Sequence, residues 1–231
     1  MDKTALRDAA TLIVVRDPAD RPRILMGQRG ARAAFMPNRF VFPGGALDAG
    51  DHDVPLADAL PAPCADRLDE QSRGGLARGL FAAAIRELWE ETGLALGQPG
   101  GWPDDAPEDW RAFAELGLLP DPARMSFVFR AITPPGRPRR FDARFFLTDA
   151  SALAGDPDDF SQASEELSHL QWIPLGDVRN FHLPFITEVV LAEVTAALPG
   201  LGAPDTVPFF FNDEEESLFR RLGGVSPLAA G

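Results

Sequence analysis

The order of apolar and turn-forming segments predicts an α/β protein built on a mixed sheet between helices. Short apolar runs such as Leu12-Ile13-Val14-Val15 and Arg23-Ile24-Leu25-Met26 have strand length and are bounded by turn residues. The segment from Gly74 to Thr92 instead repeats its apolar residues at helical spacing. Strands and helices then alternate too irregularly for a doubly wound parallel sheet, and no internal repeat, heptad series or low-complexity tail interrupts them.

In chain order, Asp17-Pro18-Ala19-Asp20 turns the first strand into the second. Phe40-Val41-Phe42 is a third strand, ended by Pro43. Gly44 and Gly45 free the backbone there, so that main-chain amides can approach a phosphate or a helix can pack closely. The stretch from about His52 to Arg78 is rich in Asp, Pro, Ala and Gly, with Asp66 to Gln71 as a short helix; it reads equally as a lid, a substrate-selective wall or disorder. Leu80-Phe81-Ala82-Ala83-Ala84-Ile85 is good helix material and leads into Arg86-Glu87-Leu88-Trp89-Glu90-Glu91-Thr92-Gly93-Leu94. Gly93 supplies the left-handed residue that stops the helix.

A second insertion, about 97–122, carries a helix at Glu108 to Leu116 whose Trp110 and Phe113 are core residues. Strands at Met125 to Ile132 and Phe141 to Leu147 follow, joined by a proline-rich turn. Leu183 to Leu198 is a packing helix, and the tail from Phe209 to Glu216 adds a strand and a short helix. Phe209-Phe210-Phe211 suggest burial, with a homodimer as one way to achieve it. Residues 1–231 are expected to form one domain.

With 231 residues, 45% hydrophobic and 25% charged, the composition is that of a soluble globular protein. Apolar runs fall short of the roughly 20 residues of a membrane span. Met1-Asp2-Lys3 leads into no signal-peptide pattern and Leu228-Ala229-Ala230-Gly231 is not a peroxisomal address, so a cytoplasmic location is expected. The single cysteine, Cys64, excludes an internal disulfide. A net charge of −13 argues against nucleic acid as a partner, but not against a small anion held by local arginines and a metal.

As a helix, the Arg86 to Leu94 stretch places Glu87, Glu90 and Glu91 on one face and Phe81, Ile85, Leu88 and Trp89 on another. Three carboxylates near the negative end of a helix dipole repel one another and call for a cation. Oxygen ligands favour Mg²⁺ or Mn²⁺, which bind one or two carboxylates and complete their shell with water and phosphate. The plainer alternative for an isolated E-x-x-E-E is a solvated acidic face.

Together with Phe42-Pro43-Gly44-Gly45-Ala46-Leu47-Asp48-Ala49-Gly50-Asp51, this stretch resembles the Nudix box, G-x5-E-x7-R-E-U-x-E-E-x-G-U with U aliphatic. Arg86 to Leu94 matches at every specified position. Asp51 stands where the pattern has Glu, and 35 positions separate it from Arg86 where the pattern has 8. The split box, Phe-Val-Phe-Pro-Gly-Gly-x-Leu-Asp and Arg-Arg-Phe-Asp-Ala-Arg-Phe-Phe resemble the superfamily branch that contains the peroxisomal coenzyme A diphosphatase.

The resemblance implies an α/β/α sandwich and Mg²⁺-dependent hydrolysis of a nucleoside diphosphate derivative, with coenzyme A and its thioesters favoured. ADP-ribose or dinucleotides are the alternatives, because Ala34 and Asn38 stand where a coenzyme A motif has Arg and Gly. A non-catalytic nucleotide sensor is the alternative of another class. Glu87, Glu90 and Glu91 would hold the metal, Arg86 would orient a box glutamate, and Gly44 and Gly45 would shape the substrate site. Glu165 or Glu166, with Glu166 preferred, would be the general base; His169 and His182 read instead as surface or core histidines. An arginine row on the second of the late strands makes Arg140 and Arg144 candidates to clamp the diphosphate, against a reading as charges that protect an edge strand.

Overall fold

A computed structural model of the chain describes residues 5–33, 35–212 and 217–223. Ala34, residues 213–216 of the expected tail helix, Met1 to Lys3 and the C-terminal Leu228 to Gly231 lie outside the described residues.

The elements run β1 (Leu6–Arg16), β2 (Arg23–Arg29), β3 (Phe40–Val41), β4 (Gly44–Ala46), α1 (Ala62–Asp69), α2 (Ala77–Thr92), β5 (Gly97–Pro99), α3 (Arg111–Glu115), β6 (Leu118–Pro120), β7 (Ser126–Ile132), β8 (Arg140–Asp149), β9 (Leu167–Pro174), α4 (Phe185–Ala197), β10 (Val207–Asn212) and β11 (Ser217–Leu222). The main sheet has the order β11-β10-β7-β8-β1-β2-β3, with β4 added to β1 and β9 to β2. The β1–β8 and β7–β10 pairs are parallel and the remainder antiparallel. This is the mixed sheet the sequence predicts.

Strand β1 shows why the sheet is covered on both sides. Ala10, Leu12 and Val14 point into one buried cluster with Leu80, Phe81, Ala84, Ile85 and Leu88 of α2. Ile13 and Val15 point into a second with Val190, Leu191 and Val194 of α4. Each large side chain so buried contributes about 1.5–3 kcal/mol, which makes β1 the seam of an α/β/α sandwich.

The first insertion is no lid. Its helix α1 buries Cys64 and Leu68 in the α2-side core, and the Phe127 amide of β7 points at Cys64 Sγ at 3.3 Å. The segment therefore extends the helical layer over β7. The second insertion pairs β5 with β6 and buries Trp110 and Phe113, as expected, with Phe113 edge-on to Trp89 at 5.9 Å. Strand β10 pairs with β7 and β11, and of its phenylalanines Phe209 is buried while Phe210 and Phe211 are half-buried.

Opposite Gly27 of β2, strand β9 carries an irregularity where the register shifts between Met26 and Gln28. His169 there has a left-handed φ of 53°. Such bulges re-aim neighbouring side chains. This one lies just before Arg29.

Candidate active site

Helix α2 ends as the sequence predicts: Gly93 has φ 74°, and its amide donates to Trp89 O at 2.8 Å. That terminus sets Glu87, Glu90 and Glu91 beside β4. A β-carbon on Gly45 would fall inside the Glu87 carboxylate, and the Gly44 amide donates to Glu91 Oε2 at 2.8 Å. Of the two uses open to this glycine pair, the structure shows close packing of the carboxylate helix. The Gly44 amide is thus engaged with a side chain, which corrects its assignment to substrate.

Arg86 is the hub beneath the carboxylates. Its Nε and Nη2 donate to Asp51 at 2.9 and 3.1 Å, Nη1 donates to Glu87 at 2.9 Å and Glu90 at 3.1 Å, and Nη2 also reaches Ala46 O at 3.0 Å. Asp51 is 2% exposed, so the shorter acid still forms the bidentate pair. Burial alone would lower the pKa of Arg86, but Asp51, Glu87 and Glu90 outweigh it and hold the guanidinium firmly charged.

The three box carboxylates are all shifted toward the neutral form. Burial, with Glu90 and Glu166 adding repulsion, pushes Glu87 up to about 7 despite Arg86. Burial and then the charge of Glu87 push Glu91 up to about 8. Glu90 is raised, again chiefly by burial. Glu91 Oε1 is buried without a hydrogen-bond partner. Partly desolvated carboxylates that repel one another, with one buried oxygen left over, suit a hard divalent cation. Among the described residues no three acidic, histidine or cysteine side chains are already gathered tightly enough to enclose an ion. Arg86 holds Glu87 and Glu90 in its fork, and Mg²⁺ needs only one or two carboxylates.

The loop before β9 crosses the end of α2. Ser164 N donates to Glu90 O at 3.0 Å, and Gln162 and Ala163 lie against Gly93. Glu165 and Glu166 thereby line a cleft of about 570 Å³ with Arg29, Gly30, Ala31, Arg32 and Ala33. The charges of Arg29 and Glu166 both act on Glu91, the first lowering and the second raising its pKa. The sequence reading missed Arg29 and Arg32. Their only signal was position, at the end of a strand and just after it, upstream of Pro43-Gly44-Gly45. His169 and His182 are exposed, as expected.

Arg140 and Arg144 do not join this cleft. Arg144 is fully buried and bonds Asp8 at 2.6 Å, while its other ion pair, at 3.1 Å, is with Asp142. Asp142 in turn holds Arg130 at 2.7 Å, and Arg130 donates to the carbonyls of Glu70 and Gln71. Burial lowers the pKa of Arg144. Arg140 donates to Thr133 O at 3.2 Å at the far end of β8. The arginine row is structural, because β8 is an interior strand and its charges sit under the α1–α2 connection. The edge-strand alternative fails for the same reason.

No family model matches the chain. It is 28% identical to nudix hydrolase 7 of Caenorhabditis elegans over 72% of this chain and 51% of that one. It is 29% identical to an acyl-coenzyme A diphosphatase of Gallus gallus over 64% of this chain and 53% of the relative. The crystal structure of a NUDIX hydrolase from Alicyclobacillus acidocaldarius superposes with a TM-score of 0.61 at 29% identity, covering 86% of this chain and 98% of the other.

In both sequence and fold the chain resembles the Nudix hydrolases.

Its Nudix box is split by α1, and Asp51 and Arg86 rejoin the halves. The chain spans about half the length of the curated Nudix relatives it matches. Asn38, which replaces a glycine of the coenzyme A pattern, adopts a left-handed φ of 57°. Asparagine is among the non-glycine residues that tolerate that conformation. Among the described residues no helix is long and apolar enough to cross a membrane.

Proposed function

We propose that this chain hydrolyses the diphosphate linkage of a nucleoside diphosphate derivative, using Mg²⁺ or Mn²⁺ held by Glu87, Glu90 and Glu91. The observation that carries the reading is the carboxylate cluster itself: the buried Glu91, with an orphaned oxygen, beside the half-buried Glu87 and Glu90, all three raised in pKa and with the charge of Glu166 acting on Glu87 and Glu91. When bound, the ion supplies charge neutralisation at the phosphoryl oxygens and acidifies the attacking water. Asp51 and Arg86 fix the orientation of Glu87 and Glu90, and Gly45 leaves room for the Glu87 carboxylate. Glu166 is the proton acceptor for the attacking water, positioned by the Ser164 contact to the end of α2.

Coenzyme A or an acyl-coenzyme A is the favoured substrate, supported by the likeness to acyl-coenzyme A diphosphatases of Gallus gallus and Homo sapiens. The missing arginine at Ala34 favours ADP-ribose or a dinucleotide as the second reading. The test is release of nucleoside monophosphate from a panel of these compounds with and without Mg²⁺. Glu90→Gln should abolish metal-dependent turnover in a folded protein; activity within a few-fold of wild type sinks the metal assignment. Glu166→Gln should depress kcat where Glu165→Gln does not, and unchanged kcat in both removes this loop from the chemistry.

A further inference from the structure

We propose that the outer edge of β11 is the interface of a homodimer, in which two copies of this chain join their sheets through antiparallel β11 strands. Among the described residues β11 has a hydrogen-bonded neighbour on one side only, β10. An open edge of this kind is a template for another strand, and sheets normally blunt it with charge, proline or a covering loop. Here the edge is flanked by aromatic surface. Phe219 is 48% exposed and Phe185 68% exposed. Phe210 lies between them, opposite Phe219 in the strand pairing and edge-on to Phe185 at 6.1 Å. The three rings form one row on the α4 side of the sheet, and the row ends at β11.

Two arginines of β11 could guard the edge, but both are drawn onto the faces of the sheet. Arg221 pairs with Glu193 of α4 at 3.7 Å and lies over the Phe219 ring. Arg220 lies over Phe211 on the opposite face and donates to Gln71 at 3.3 Å. Charge then selects how β11 pairs with itself. A two-fold axis sets residues of the same face opposite each other, so the registers that overlap the strand most are centred on Phe219 or on Arg220. Centring on Arg220 opposes two guanidinium groups, which is unfavourable. Centring on Phe219 brings the two aromatic rows together at the axis. It also sets Arg221 against Ser217 of the partner subunit and Arg220 against Leu218 of the partner subunit, with no like charges opposed. This self-complementarity makes a second copy, rather than a foreign strand, the occupant of the edge.

Sedimentation velocity of the full chain across micromolar concentrations should show a reversible equilibrium between monomer and dimer. Phe219→Glu should leave a monomer at every concentration, with circular dichroism checking that it is folded. Ser217 gives the sharper test, because it is exposed and stands opposite Arg221 only in the register centred on Phe219. Ser217→Glu should lower the dimer dissociation constant by about threefold, and Ser217→Arg should raise it by about as much. Overall repulsion predicts the reverse order, since the chain carries a net charge of −13 and a further glutamate adds to it. Both variants lose the same hydrogen bond from Asn212 to Ser217 Oγ, so the difference between them isolates the charge. A wild type that stays monomeric overturns the proposal. So does a dimer that survives Phe219→Glu, or one whose two Ser217 variants do not fall in this order.

Discussion

At the residue scale, Asp51 bears the greatest structural demand. It is the buried counter-charge of Arg86, and its removal leaves a guanidinium desolvated beside two weaker partners. Asp51→Ala should therefore destabilise the fold by about 3–5 kcal/mol, read as a lowered denaturation midpoint in urea. Gly45 is the contrasting case. Gly45→Ala should displace the Glu87 carboxylate and cut kcat about 100-fold or more, because a misplacement of about 1 Å is enough for such a loss. Gly50→Ala, where a β-carbon meets open space, should leave turnover unchanged. The Arg86 to Leu94 motif and its acidic face were legible because helical spacing fixes which side chains share a face. Asp51 was legible as a position, but its bidentate grip on Arg86 was not, since an insertion hides how near two distant residues lie.

At the element scale, the end of α2 gathers acids whose folded pKa values exceed those of the unfolded chain, near 4.3 for Glu. Between about pH 5 and 8 the folded state binds the extra protons at Glu87 and Glu91, so this contribution to stability is complete below the unfolded pKa and is lost as pH rises through about 7 and 8. The metal-free protein should accordingly show a falling thermal midpoint across this window, and added Mg²⁺ should offset the fall by favouring the ionised carboxylates. A midpoint that rises with pH in the absence of metal would contradict it. Strand β8 gives the complementary case. Periodicity placed Arg140, Asp142 and Arg144 on one face, but could not reveal that this face lies beneath the α1–α2 connection. Arg144→Leu should destabilise the protein by about 1–3 kcal/mol, through loss of its bonds to Asp8 and Asp142, which keep Arg73 and Arg130 as partners, while the KM of the folded fraction stays at the wild-type value.

At the scale of the whole molecule, the sequence announced the mixed sheet, the two helical coverings and the carboxylate helix, because each is encoded in local periodicity. The cleft was not announced. It is assembled from the end of β2 with the residues after it and from the loop docked on Gly93, two segments far apart in the chain whose proximity depends on the pairing of β2 with β9. The first insertion was equally opaque: its composition suggests a mobile loop, whereas Cys64 and Leu68 anchor it in the core. The Asp51–Arg86 pair also bears on how the chain tolerates change. Because that pair pins both ends of the intervening segment, lengthening the segment adds only loop-closure entropy, about 0.6 kcal/mol for each doubling. A ten-residue Gly-Ser stretch placed between the exposed Asp58 and Ala59 should thus leave turnover intact, and the spacing inside the box is free to drift while its chemistry stays put.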